Sequence, residues 1–212
     1  KYRLDYKRNL YTTAFIDLIG RIFFHYKKNQ KLINVNKILV IRLDHIGDVI
    51  TSIPALRALR KYYPKSHITI MVRSLTKEII ENCPYVDKII VYDPFWYRGK
   101  KNLNIFNHIK FIHGLRKQKF DLAIDLRGEL RNIILAYKSK SRYRLAYDVK
   151  GGDFLLTHIG DYKDNIHIID RNLNLLRKIG IISNDKKLEL FITSKEKKFI
   201  DDLLRNYKIK RF

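Results

Sequence analysis

Cysteine is nearly absent. Cys83 is the only one in 212 residues, so no disulfide forms within the chain, and this usage fits a reducing compartment. Its neighbours Asn82 and Pro84 put no histidine or second cysteine at ligand spacing, which argues for a core or loop thiol rather than a metal site. No apolar run approaches the ~20 residues needed to cross a bilayer, and no signal peptide is visible. The first residue is Lys1 rather than Met, so the true start is expected upstream. The few glycines are not arranged for nucleotide phosphates: Gly128 and Gly151-Gly152 mark loops and fit neither a Walker loop nor a dinucleotide fingerprint. Acidic residues are also scarce. Against 44 Lys and Arg stand 21 Asp and Glu, a net charge of +23.

What is present is ordinary for a globular chain: 46% hydrophobic and 31% charged residues, with enough length for one good core. The positive excess points to a polyanionic partner, whether nucleic acid, an anionic membrane surface or a heavily phosphorylated substrate. The plainer alternative is a compositional habit, since Lys and Ile are abundant throughout. There is no zinc-finger spacing, aromatic RNA-binding strand or basic zipper, so nucleic acid is not an expected partner. An acidic glycolipid at a membrane satisfies the charge equally well.

Residues 1–36 read as a separate extension. From about Lys7 to Lys28 proline is missing, and Leu10, Ala14, Leu18 and Ile22 recur at helical intervals, flanked by Phe15, Ile19 and Phe23. Arg8, Arg21, Lys27 and Lys28 make this a basic amphipathic helix, suited to an anionic membrane surface or to packing on the domain body. Gly20 weakens it. From Lys37 the order is regular: an apolar strand Ile38–Ile41, a helix Val49–Tyr63, a strand His67–Val72, a short helix Thr76–Asn82 and a strand Asp87–Tyr92. A loop carrying Phe95, Trp96 and Tyr97 leads to a helix ending near Lys119. Strands Leu122–Leu126 and Tyr143–Tyr147 and a long helix Asp164–Ile179 follow, stopped by Gly180. Strands apolar on both faces, alternating with helices, predict an α/β fold, a Rossmann-like parallel sheet with helices on both sides.

The stretch from Lys37 to Pro64, KILVIRLDHIGDVITSIPALRALRKYYP, carries the most information. A buried strand, a Gly-containing loop and a helix start place Asp48 at the carboxyl edge of the sheet, where open α/β sheets bind ligands. Any such unit could carry an Asp there as a cap. Arg42, Gly47-Asp48-Val49 and Pro54-Ala55-Leu56 together closely resemble the opening of glycosyltransferase family nine, the ADP-heptose:lipopolysaccharide heptosyltransferases. FDLAIDLRGELRN, with His167, Asp170-Arg171-Asn172 and Gly180, resembles later segments of the same family. The resemblance implies that residues 37–212 are the acceptor-side domain of a two-domain GT-B enzyme. The chain stops at Lys208–Phe212, about where the family's second, donor-binding domain would begin with its His-Pro-Gly loop, so this is expected to be half of such an enzyme and inactive alone.

The resemblance further implies an inverting transfer of heptose from ADP-heptose, or of another sugar from its nucleotide, to an acidic lipopolysaccharide inner-core acceptor. No metal or cofactor is implied beyond the donor. Asp48 would be the base. A helix N-terminus favours negative charge, so that base works only if proton transfer comes late; the same charge can also stabilise the cationic anomeric carbon. Arg42 ends its strand at the same edge, suited either to acceptor phosphate or carboxylate or to Asp44 and Asp48. Asp44 and His45 are loop residues or substrate contacts, and Gly47 is expected to permit a left-handed turn. Arg73, Arg127 and Arg131 follow strands and are expected to converge on an acidic acceptor; each could equally be a solvated surface arginine. The expected location is the cytoplasm, peripheral on the inner membrane. The rival reading is a non-catalytic basic module binding an anionic membrane surface or nucleic acid.

Overall fold

A computed structural model of the chain describes residues 17–24, 26–94 and 105–207. The Phe95-Trp96-Tyr97 cluster, the first half of the expected 7–28 helix and Lys208–Phe212 lie outside the described residues. The described residues form a six-stranded sheet in the order β3-β2-β1-β4-β5-β6, parallel at every pairing. The strands are β1 Lys37–Arg42, β2 His67–Val72, β3 Lys88–Val91, β4 Leu122–Asp125, β5 Tyr143–Ala146 and β6 His158–Ile159. Strand order reverses between β1 and β4, and outside the carboxyl ends of those two strands lies the crevice that this topology offers to ligands.

Side chains alternate across β1. Ile38 and Val40 join one core with Leu56 and Leu59 of α3 (Ile53–Tyr62) and Leu173, Leu175 and Leu176 of α7 (Ile168–Arg177). Leu39 and Ile41 join the opposite core with Ile112 and Leu115 of α5 (Ile105–Lys117) and Leu135 of α6 (Leu130–Lys138). Burial on both faces is why these strands read as continuous apolar runs. Among the described residues no helix is long and apolar enough to cross a membrane.

Several expected boundaries move. The helix expected over Val49–Tyr63 is two, α2 Ile46–Ile50 and α3. Pro54, in the first turn of α3, has no N–H to donate to the preceding turn, and the chain tightens as Ser52 N–H donates to the Val49 carbonyl at 3.1 Å. The Thr76–Asn82 helix is a 3₁₀ turn, Ser74–Thr76, followed by α4, Lys77–Ile80. The helix expected from Asp164 begins at Ile168 behind His167, whose ring accepts from Ile169 N–H at 3.3 Å. Strand β6 is two residues long, too short to leave a periodicity.

In the N-terminal extension residues 17–23 are helical (α1), and the described residues beyond 23 are not, so the helix stops short of the expected Lys28; α1 lies on the body by its small and polar side. Asp17 is buried and accepts from Gly152 N–H at 2.9 Å, and a Cβ on Gly20 would fall 2.5 Å from the Phe154 ring. Arg21 pairs with Asp153. Its apolar residues Leu18, Ile19, Ile22 and Phe23 face outward. At the other end, Arg57 clamps the segment after α7, pairing with Asp185 at 2.7 Å and Glu189 at 2.5 Å. Helix α8, Ser194–Asn206, starts with a Thr193/Glu196 capping box and buries none of its residues.

Candidate functional site at the β1–β4 switch point

By strand parity Arg42 shares the face of Ile38 and Val40, which aims its side chain under α2. It is 1% exposed. Its Nε donates to the Asp48 carbonyl at 3.0 Å, one terminal nitrogen lies 3.4 Å from Asp48 Oδ1, and the other lies 3.3 Å from Asp44 Oδ2. Asp44, also buried, takes Arg127 on its other oxygen, and Arg127 Nε reaches Glu129 at 3.1 Å. The alternatives open for Arg42 therefore resolve inward: its guanidinium is occupied by Asp44 and Asp48.

Asp48 is the third residue of α2. Its Oδ2 accepts from the His45 N–H at 3.3 Å, so the carboxylate closes the helix N-terminus. The side chain is still 34% exposed, and its Oδ1 is oriented by a buried cation. Capping and chemistry are thus compatible. Thr51 Oγ1 donates to the Asp48 carbonyl at 3.0 Å, and Asn172 Nδ2 donates to the Thr51 carbonyl at 3.0 Å, tying α2 to α7.

Gly47 corrects an expectation. It lies inside α2 with no left-handed φ, and a Cβ there would meet nothing within 4 Å. What its missing side chain provides is open space beside Asp48. The left-handed turn belongs to Gly128, at φ +74°, where a Cβ would stand 2.7 Å from Tyr147 Cβ.

His45 is exposed at the start of α2, Arg73 follows β2 at the head of the 3₁₀ turn, and Arg131 is exposed in the first turn of α6. The arginines expected at this edge thus divide into two that serve internal carboxylates, Arg42 and Arg127, and two others, Arg73 before the 3₁₀ turn and Arg131 in the first turn of α6.

Asp125, which ends β4, was not among the expected site residues. It is fully buried and accepts four hydrogen bonds: Gly128 N–H at 2.9 Å, Glu129 N–H at 3.1 Å, Arg127 N–H at 3.2 Å and Asn132 Nδ2 at 3.1 Å. Burial pushes its carboxyl up to about 7, against the pull of those donors and with help from the neighbouring Asp44 charge. It fixes the loop that presents Arg127. The available signal was an Asp closing an apolar strand just before Arg-Gly. Asn172 sat in the quoted Asp-Arg-Asn run without being given a role. Among the described residues no group of three His, Cys, Asp or Glu side chains is placed to hold a metal.

A carboxylate held at a helix start beside open space, with its charge fixed from beneath, can accept a proton from a hydroxyl or stabilise a cation above it. No family model matches the chain. A candidate glycosyltransferase of Haemophilus influenzae is 34% identical over 124 residues, 58% of this chain and 34% of that protein. The lipopolysaccharide core heptosyltransferase OpsX of the same organism is 23% identical over 170 residues, 78% of this chain and 46% of that protein. Among solved structures, a glycosyltransferase family 9 protein of Veillonella parvula superposes with a TM-score of 0.70 at 23% identity, over 86% of this chain and 52% of that one. The Escherichia coli ADP-heptose lipopolysaccharide heptosyltransferase II gives 0.63 at 18% identity, over 82% and 51%. The chain spans about half the length of these relatives or less.

Proposed function

We propose that this chain, a relative of glycosyltransferases and lipopolysaccharide heptosyltransferases, is the acceptor-side domain of a sugar transferase in lipopolysaccharide synthesis. In the complete enzyme, heptose passes from ADP-heptose, or another sugar from its nucleotide, to an acidic inner-core acceptor. The observation that carries the reading is Asp48: a partly exposed carboxylate held by buried Arg42 at the switch point of the sheet.

In this reading the acceptor hydroxyl oxygen attacks the anomeric carbon from the face opposite the diphosphate. The carbon–oxygen bond to the diphosphate breaks, its electron pair leaves with the phosphate, and the hydroxyl proton passes to an Asp48 oxygen. Configuration inverts. Proton transfer to Asp48 comes most readily once the hydroxyl has become acidic in a late transition state; the carboxylate also faces the cationic carbon. Gly47 leaves the acceptor room to approach. Arg73, Arg131 and His45 contact the acceptor's acidic groups, and Asp44 and Arg127 keep Arg42 in place. No cofactor beyond the donor is invoked. The acceptor is a glycolipid, which sets the protein in the cytoplasm at the inner face of the inner membrane.

Replacing Asp48 by Asn in the complete enzyme keeps an acceptor for the His45 N–H and removes the base. Turnover should fall by roughly two to four powers of ten, with acceptor KM and urea midpoint close to the parent's. Parent-like turnover in a folded variant would remove Asp48 from this role.

A further inference from the structure

Helix α1 carries its polarity the wrong way round for a helix packed on a core. Asp17 and Gly20 face the body, while Leu18, Ile19, Ile22 and Phe23 are 60, 39, 62 and 75% exposed. The attachment is not casual. Asp17 accepts from Gly152 N–H, Arg21 pairs with Asp153, and Lys28 Nζ donates to the carbonyls of Asp153 and Leu156. Phe24 packs on Phe154 with ring centroids 5.6 Å apart. A fixed helix that presents four large apolar side chains to solvent is an interaction surface. Beside it opens a cavity of about 430 Å³ lined by Arg21, Phe24, Tyr26, Lys27, Lys28 and Phe154, among others.

We propose that the outward face of α1 docks on an anionic lipid bilayer, with Leu18, Ile19, Ile22 and Phe23 entering the interface and the exposed Lys27 meeting lipid phosphate. Charge complementarity selects this occupant. The chain carries +23, so a second copy would bring a net like charge, whereas anionic lipid brings the opposite sign. Position agrees. Gly152, which Asp17 holds, lies against Leu130 and Ile133 at the start of α6, directly after the loop of Asp125 and Arg127. Asp17 therefore sits at the same edge of the sheet as Asp48. The proposal stands whether or not the chain belongs to a sugar transferase, because its test does not read activity.

The test is co-sedimentation of the whole chain with vesicles of phosphatidylethanolamine and phosphatidylglycerol, 3:1, and with pure phosphatidylcholine. The parent should bind the anionic vesicles. The variant Leu18→Ser, Ile22→Ser, Phe23→Ser, altered only at exposed positions, should partition at least about tenfold less. As an independent readout, Phe23→Cys carrying an environment-sensitive fluorophore should shift to the blue on anionic vesicles. Cys83 stays unlabelled, being buried with its thiol pushed up to about 11. Equal sedimentation of parent and serine variant would overturn the proposal in favour of the basic body of the domain. A parent that ignores vesicles but self-associates through residues 18–23, by light scattering, would overturn it in favour of a second copy. If the serine variant does not fold, the fluorophore decides alone: no shift overturns the proposal.

Discussion

Asp125 and Arg42 show how single buried charges set the behaviour of the site. The Asp125 carboxyl rises from an ordinary 3.8 to about 7 in the folded chain, so the folded state keeps a proton that the unfolded state releases between about pH 4 and 7. The stability this group contributes is full below about pH 4 and is lost as pH rises through about 7. Asp125→Asn should therefore flatten the pH dependence of the urea midpoint across that window relative to the parent; parallel curves would show that the four donors hold the carboxylate charged throughout. Arg42 sits at the other side of the same network. Arg42→Met leaves buried Asp44 with Arg127 alone and loosens Asp48. A buried pair that loses one partner costs roughly 3–5 kcal/mol, and Arg127 keeps the expected loss near the lower figure. Denaturant unfolding checks this, and a change below about 1 kcal/mol would mean that Asp44 takes up a proton or water instead.

At the scale of elements, the two glycines flanking the crevice make opposite predictions. Gly128→Ala forces a Cβ to 2.7 Å from Tyr147 Cβ at a φ of +74°, and should destabilise by more than about 1 kcal/mol, the usual cost where the native conformation excludes a side chain. Gly47→Ala places a methyl in open space within a helix and should stabilise by about 0.5–1 kcal/mol, while raising acceptor KM in the complete enzyme if that space receives substrate. Unfolding midpoints with KM separate the two effects. Gly47 is also where local reading failed, since a loop glycine before Asp suggests a turn, and only the fold shows α2 already under way at Ile46. The central strands were legible because burial on both faces replaces alternation with apolar runs. The placement of Asp48 at the edge of the sheet was legible from its strand–loop–helix setting. Asp125 was not, because its partners lie two to seven residues ahead across a turn whose shape the residues alone do not state. The inward aim of Arg42 does follow from strand parity with Ile38 and Val40.

For the molecule as a whole, the proposed division of labour predicts what this chain does by itself. The carboxylate and the edge arginines lie around the six-stranded sheet of the described residues, while catalysis requires both substrates held in register. Calorimetry on the 212 residues should give heat with a lipopolysaccharide core fragment and none with ADP-heptose; tight binding of the nucleotide sugar would reassign the crevice to the donor. The strand order has a further consequence, for assembly. Strands β1 and β2 pair across one short crossover, Ile38 beside Ile68, but β1 meets β4 only when Ile38 finds Leu122. Closing that longer loop is entropically dearer and belongs to a later stage of folding. Arg42 and Asp44 come from one side of this seam and Arg127 and Asp125 from the other. A chain ending before β4 would lack Arg127 and Asp125, half of the charge network around Asp48, so that network is complete only once β4 has docked on β1.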